Sequence, residues 1–198
     1  MPAPQDLRLN SIATVPASSF YCSGIKSVYF GPAFQTVNGG WNNGAFWACT
    51  AMTNITFDSQ ITNAYIIGGE RHFSGCTALE GTLDLSCFVK LRPGVQQRNI
   101  GLFDNSPKVT KVILGENLTE LSLGTFCEGT RGLQEVVFMG PPPTLYNSSD
   151  KVITAGDPFA AVKSETLTTW VTRKYKKEWA EFAHENAIRH RGTHWKSD

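Results

Sequence analysis

The chain has 198 residues, of which 18 are basic, 17 are acidic and 41% are hydrophobic, giving a formal net charge of +1. This length suits one domain or one solenoid with a continuous core. The near-neutral charge provides no field for attracting nucleic acid or an anionic membrane, and no apolar run approaches the roughly 20 residues that span a bilayer. Residues 1–19 contain no basic segment followed by an apolar one, so we expect no signal peptide in this chain.

The chain contains a repeated cassette. Each copy begins with a phenylalanine, continues through a turn of small residues and ends in alternating apolar and polar residues, a pattern typical of a half-buried strand. The strand-final residues of successive copies lie 24 to 29 residues apart, and they are Phe30, Phe57, Leu85, Leu114 and Phe138. This period predicts stacked repeats whose phenylalanines form an interior ladder. The five anchors are Phe20, Phe46, Phe73, Phe103 and Phe126. Phe159 is the candidate start of a sixth, degenerate copy.

The residues of one copy resemble a known family. Residues 45–57, AFWACTAMTNITF, match the pattern A-F-x-x-C-T-x-L-x-x-I-x-F of the BspA-like, or type 5, leucine-rich repeat, and residues 73–79 repeat its first half. The resemblance covers residues 18–140. It implies a β-rich leucine-rich-repeat solenoid of the α/β superhelix class, with about five irregular repeats and a C-terminal helical cap. The polar segment 88–99 departs from the pattern, so we expect a bulged or looped convex side there instead of a clean strand.

We expect three segments along the chain. Residues 1–18 form an N-terminal segment or cap, residues 19–140 form the solenoid, and residues 141–198 hold a closing loop, a last strand and a capping helix. The helix is predicted over 172–188, with Thr172 as its N-cap. Its apolar residues recur on one face, which should cover the open end of the solenoid. They are Tyr175, Trp179, Phe182 and Ala183.

Strand alternation predicts which side chains point away from the core. Two outward columns should form one continuous sheet face, and solenoids bind partners on such faces. The candidate partner-binding residues are Tyr29, Asn54, Thr56, Asp84, Lys111, Ile113, Glu135 and Val137. The alternative is that these residues are only solvated strand positions.

The cysteines and histidines provide no catalytic or metal-binding motif. Cys22, Cys49 and Cys76 are predicted to share one slot of the repeat, where a thiol serves as a small buried hydrophobe. A metal site or a disulfide is the alternative, but the chain has no C-x-x-C pair and an odd total of five cysteines. His184, His190 and His194 do not form H-E-x-x-H. We therefore predict no metal, no cofactor and no enzymatic activity.

Trp41 and Trp47 lie in the segment WNNGAFW, where two indoles beside amide groups suit sugar stacking, although a buried turn is equally compatible. The family resemblance implies a non-enzymatic recognition module of a bacterial cell surface, binding host or matrix proteins or other cells. The alternatives are a carbohydrate-binding solenoid that uses Trp41 and Trp47, a catalytic solenoid that acts on polysaccharide, and a structural spacer. We expect a monomer with a protein or glycan partner, outside the cell and without a membrane span.

Overall fold

A computed structural model describes the protein over most of its length. The described residues are 5–39, 44–69, 71–93, 101–123, 125–126, 130–147, 151–154, 156–159, 162, 166–185 and 193–196. The strands are β1 (Asp6–Leu9), β2 (Thr14–Val15), β3 (Ser27–Phe30), β4 (Thr36–Val37), β5 (Asn54–Phe57), β6 (Ala64–Ile67), β7 (Glu80–Leu85), β8 (Phe88–Arg92), β9 (Lys108–Leu114), β10 (Glu120–Ser122), β11 (Glu135–Phe138), β12 (Thr144–Tyr146), β13 (Val152–Ile153), β14 (Thr168–Thr172) and β15 (Thr193–Lys196). The helices are a 3-10 turn at Arg173–Tyr175 and α1 at Lys176–Glu185.

Strands from successive repeats lie side by side in two columns. The first column consists of an N-terminal sheet in the order β1-β3-β5 and a C-terminal sheet in the order β7-β9-β11-β14-β15. The second column is one sheet in the order β2-β4-β6-β8-β10-β12-β13. Among the described strands every pair is parallel except β12 with β13. Each repeat therefore adds a strand to both columns, which confirms the predicted leucine-rich-repeat solenoid.

The strand pairing of the first column is interrupted between β5 and β7. Gly81 has a φ of 73°, and the register between β7 and β9 shifts between Gly81 and Thr82. A positive φ of this size is a conformation that glycine adopts without steric cost. A backbone hydrogen bond of 3.4 Å, from Glu80 N to Thr53 O, links the two sheets across the break. The outward face of the first column is therefore divided into two parts.

The phenylalanine anchors form a stacked ladder inside the turns that connect the second column back to the first. The ring centroids of Phe46 and Phe73 lie 5.3 Å apart, those of Phe73 and Phe103 lie 5.4 Å apart, and in both pairs the stacked rings are nearly parallel. Phe159 continues the ladder at 5.3 Å from Phe126. Backbone hydrogen bonds join the same turns, since Phe73 N donates to Leu102 O at 3.0 Å. The predicted interior ladder is confirmed, and it extends to the sixth copy.

Strand alternation fills the rest of the core. In every repeat, the residue two positions before the last residue of the strand is buried. These residues are Val28, Ile55, Leu83, Val112 and Val136. Four of the five strand-final residues are buried as well, but Phe57 is only half-buried. β5 is the edge strand of the N-terminal sheet. Among the described strands, none pairs with its far side, so the Phe57 ring is less completely covered. Phe57 instead stacks on Phe30, with centroids 4.9 Å apart.

The C-terminal helix closes one end of the core. Trp179 of α1 is buried against Phe138, with ring centroids 4.4 Å apart, and its indole N–H donates to Gly140 O at 3.0 Å. Thr172 precedes the 3-10 turn, but its hydroxyl donates to Met139 O at 2.7 Å instead of capping the helix. The predicted cap residue thus ties β14 to β11. Residues 186–188 of the predicted helix lie outside the described residues.

Two further segments differ from simple expectation. The segment 88–99 was expected to lack a clean strand, but its first half forms β8, which pairs with β6 and β10. In β8 the side chains of Phe88 and Leu91 point inward, and those of Lys90 and Arg92 point outward. A bulge opposite Ala64 interrupts this alternation and obscures the pattern in the sequence. At the N-terminus, β1 and β2 pair with β3 and β4 and so form the first turn of both columns.

Replacing Phe73 with alanine should lower the free energy of unfolding by about 3–5 kcal/mol, because it removes a fully buried ring from the middle of the ladder. Urea denaturation at neutral pH measures the change. Tyr65→Ala is the control, since Tyr65 is 37% exposed on the second column. Equal losses for the two variants would contradict a structural role for the ladder.

A candidate partner-binding groove on the C-terminal sheet

The structure places the predicted outward columns in register within each sheet. Tyr29 lies beside Thr56 in the N-terminal sheet, while Asp84, Ile113 and Val137 lie beside one another in the C-terminal sheet. The break between β5 and β7 separates these two groups. The predicted residues therefore belong to two different surfaces.

In the N-terminal sheet the polar side chains bond to one another. The Tyr29 hydroxyl donates to the Asp58 carboxylate, and this bond raises the pKa of Tyr29 and lowers that of Asp58. The Arg8 guanidinium lies 4.2 Å from the centre of the Tyr29 ring. The Asn54 amide donates to the Thr56 hydroxyl at 3.0 Å. These contacts use polar groups that a partner would otherwise bind.

In the C-terminal sheet the outward side chains enclose a groove of about 620 Å³. Its floor is a row of four residues, one from each of four neighbouring strands: Asp84 of β7, Ile113 of β9, Val137 of β11 and Trp170 of β14. Val137 is only 4% exposed, although it points away from the phenylalanine core. It is covered by its neighbours in the row, because adjacent strands lie only about 4.8 Å apart.

The two long sides of the groove differ in chemistry. On one side Lys111 Nζ and Glu135 Oε2 form an ion pair of 2.9 Å, with both side chains about 40% exposed. On the other side stand Ser86 and Met139, with Met139 41% exposed. Gly115 follows β9 between them, and a Cβ there would lie 2.0 Å from Ser86 O, so the close backbone approach requires glycine.

The structure thus brings together five of the predicted binding residues and adds three that sequence analysis missed. The five are Asp84, Lys111, Ile113, Glu135 and Val137. The three are Ser86, Met139 and Trp170. The sequence does contain a signal for Trp170, because Leu167, Thr169 and Val171 alternate as an inward face and leave position 170 outward. That last strand lies beyond the cassettes that align well.

The proposed sugar-stacking patch lies on a different side of the solenoid. Trp41 is outside the described residues. Trp47 is half-buried, and its ring lies 4.9 Å from that of Tyr21 and 4.8 Å from the Arg71 guanidinium. Tyr21 belongs to the preceding repeat and Arg71 to the following one, so protein side chains flank the indole along the stack. Sugar stacking at Trp41 and Trp47 stays a prediction.

The second column carries a separate charged cluster. Glu120 accepts from Lys90 Nζ at 2.7 Å and from Arg92 Nη1 at 2.5 Å, and Arg92 lies 3.9 Å from the centre of the Tyr146 ring. Burial opposes the negative charge of Glu120, but the two hydrogen bonds outweigh it and hold its pKa below the ordinary value. Ile67 is 48% exposed on this same sheet.

The cysteines occupy two different slots. Cys49 and Cys76 lie three residues after their anchor phenylalanines and are buried, and their thiols donate to Phe20 O and Phe46 O at 3.0 and 3.4 Å. The prediction that Cys22 shares this slot is wrong. Cys22 lies two residues after its anchor, is exposed and has a φ of 52°, while Ser23 takes the buried slot and lies 3.3 Å from the Cys49 sulfur. The first repeat is one residue shorter than the second, and aligning the two repeats on their cysteines hides this difference in length.

His72 is fully buried in the turn before Phe73, because Gly39 leaves room for its ring: a Cβ on Gly39 would lie 2.4 Å from His72 Cε1. Its Nε2 lies 3.4 Å from Gly68 O, and within the described part of the chain its Nδ1 has no hydrogen-bond partner. Burial lowers the pKa of His72 to about 4.

Within the described residues, no group of three or more histidines, cysteines or carboxylates is placed to hold a metal ion. No helix in that part of the chain has both the length and the apolar character needed to cross a membrane. His184 lies on α1, whereas His190 is outside the described residues.

Parallel-stranded turns that stack on a phenylalanine ladder, with an outward sheet face, define a leucine-rich-repeat scaffold, a class that typically mediates protein interaction and not catalysis. The model for the BspA type leucine rich repeat region matches six copies over residues 5–80 and 42–149. The chain therefore belongs to the BspA type leucine-rich repeat family. No curated protein matches the chain significantly.

Replacing His72 with glutamine should reduce the acid sensitivity of the fold. Because the folded pKa of about 4 lies below the unfolded value of about 6.5, only the unfolded chain binds this proton between those pH values. The free energy of unfolding should therefore fall by about 3 kcal/mol as the pH drops from 6.5 to 4, and His72→Gln should remove that part. Urea denaturation at several pH values measures it, with exposed His184→Gln as the control. Identical pH profiles for the wild type and His72→Gln would refute the assignment.

The thiols should react with iodoacetamide in the order of their exposure. Burial raises the pKa of Cys76 and of Cys87 to about 12, and only the thiolate reacts. We expect rapid labelling of exposed Cys22 and protection of Cys49, Cys76 and Cys87 until urea is added, as followed by peptide mass mapping. Labelling of Cys76 in the folded protein as fast as Cys22 would contradict this arrangement.

Proposed function

We propose that this protein is a non-enzymatic recognition module that binds a protein partner in the groove of the C-terminal sheet. The supporting observation is the groove itself, a concave apolar floor on an outward face. Interfaces are enriched in tryptophan and methionine at their centre, with charged residues at the rim. Trp170 and Met139 both line the groove, and the Lys111–Glu135 pair on one of its long sides matches the charged rim.

The apolar side chains of the groove favour binding over solvation alone. Ile113, Val137, Met139 and Trp170 line one concavity, and covering them would remove apolar surface from water. Met139 is unbranched and adapts its shape to a partner. Surfaces of this kind mark interaction sites on soluble proteins.

The carboxylates of the groove favour a binding role over hydrolysis. Asp84 and Glu135 are the acidic residues of its lining, and Glu135 is held in an ion pair with Lys111. Hydrolysis by a pair of carboxylates needs both of them directed at the substrate, whereas the Glu135 carboxylate is engaged by the Lys111 ammonium. This supports the proposal that the module is not an enzyme.

We also propose that the protein acts at a bacterial cell surface, binding host or matrix proteins or other cells. Membership of the BspA type family supports this, because leucine-rich repeats of this type are commonly surface-associated. An extended sheet face built from several repeats suits recognition of a large partner.

Replacing Ile113 with aspartate should abolish partner capture while leaving the fold intact. The matched control is Ile67→Asp, the same exchange on an exposed strand position of the second column. Each exchange should cost about 1 kcal/mol or less of stability, since neither side chain belongs to the core. The measurement is pull-down from a cell-surface protein extract and from purified matrix proteins, with thermal melting of both variants. Equal capture by Ile113→Asp and wild type would refute binding in this groove.

A further inference from the structure

We propose that the groove takes an extended peptide segment of the partner, with one basic side chain that pairs with Asp84 and apolar side chains that follow toward Trp170. This inference rests on the proposed function and specifies the chemistry of its ligand. It is argued from the length of the floor, its charge and the order of its residues.

The length of the floor fits a short extended segment. The row from Asp84 to Trp170 crosses four neighbouring strands, so it is about 14 Å long at about 4.8 Å per strand. An extended chain advances about 3.3 Å per residue, so four or five residues span the row.

The charge of the groove is concentrated at one end. The Lys111 ammonium is neutralised by Glu135 at 2.9 Å. Asp84 Oδ1 accepts the Ser86 backbone N–H at 3.0 Å, and within the described part of the chain no basic side chain forms an ion pair with Asp84. Its carboxylate is exposed and anionic, so a lysine or arginine of the ligand complements it.

The order of the floor residues sets the order of the ligand residues. In an extended segment, side chains at i, i+2 and i+4 face the same way and lie about 6.6 Å apart. A basic residue at i over Asp84 places i+2 between Ile113 and Val137, and i+4 at Trp170 and Met139. The matching pattern is basic-x-aliphatic-x-apolar, where x faces solvent.

The experiment is selection from a random nonapeptide phage library on the full chain, followed by affinity measurements with the selected synthetic peptides. We expect enrichment of the basic-x-aliphatic-x-apolar pattern. Asp84→Asn should weaken binding of the best peptide about tenfold and reduce the salt dependence of that binding. The asparagine side-chain oxygen can still accept the Ser86 backbone N–H. Asp84→Lys should select acidic residues at position i. Glu80→Gln is the matched control, because Glu80 is an exposed carboxylate on the same strand outside the groove.

The outcomes separate this inference from the proposed function. One outcome is that peptides bind and Ile113→Asp abolishes their binding, but Asp84→Asn has no effect or acidic peptides are enriched. This outcome refutes the basic side chain of the ligand and supports binding in the groove. If no peptide is selected while protein capture still depends on Ile113, the extended ligand is refuted and a folded surface is the partner. If peptides bind Ile113→Asp as well as wild type, both proposals fail.

Discussion

One repeat of this chain cannot bury its own phenylalanine, and the rest of the structure follows from that constraint. Phe46 and Phe73 exclude water only because each ring lies about one strand spacing from the next, at 5.3 Å. The backbone bonds between turns hold the same spacing, as in the bond of 2.8 Å from Phe46 N to His72 O. Once the rings are stacked, the strands that follow them are aligned, and alternation decides which of their side chains face outward.

The groove is a product of this stacking, because each of its floor residues comes from a different repeat. The two outward faces of the first column have the same backbone geometry but different chemistry. In the N-terminal sheet Tyr29 bonds to Asp58, and its outward groups are already paired. In the C-terminal sheet the outward side chains of Ile113 and Val137 are aliphatic and carry no polar group to pair. The difference between the two faces therefore lies in side chains and not in the scaffold.

Much of the fold could be predicted from the sequence, because the anchors and the alternation are local patterns. Five of the groove residues could be placed for the same reason, since Asp84 and Ile113 follow directly from the register of the repeats. Trp170 was not placed, although alternation in its own strand leaves it outward, because that strand lies beyond a loop that breaks the period. Cys22 was assigned to the wrong slot because the repeats were aligned on their cysteines. Counting residues from Phe20 would have revealed the one-residue deletion in the first repeat. A bulged or looped side was expected at 88–99, and the strand β8 itself was not predicted, because the bulge opposite Ala64 disturbs its alternation. In each case a change in residue number between anchors shifted the register.

The helical cap and the groove are adjacent, and this has a thermodynamic consequence. The Trp179 indole N–H donates to the carbonyl of Gly140, which follows Met139 in the chain. The Thr172 hydroxyl donates to the carbonyl of Met139, and Thr172 lies two residues after Trp170. Undocking of α1 would loosen the same two strands that supply one end of the groove. For a ligand that binds the proposed groove only when α1 is docked, occupancy of the groove and docking of the helix are linked equilibria, and each strengthens the other by the same factor. A ligand would then slow proteolysis of a helix that it never touches.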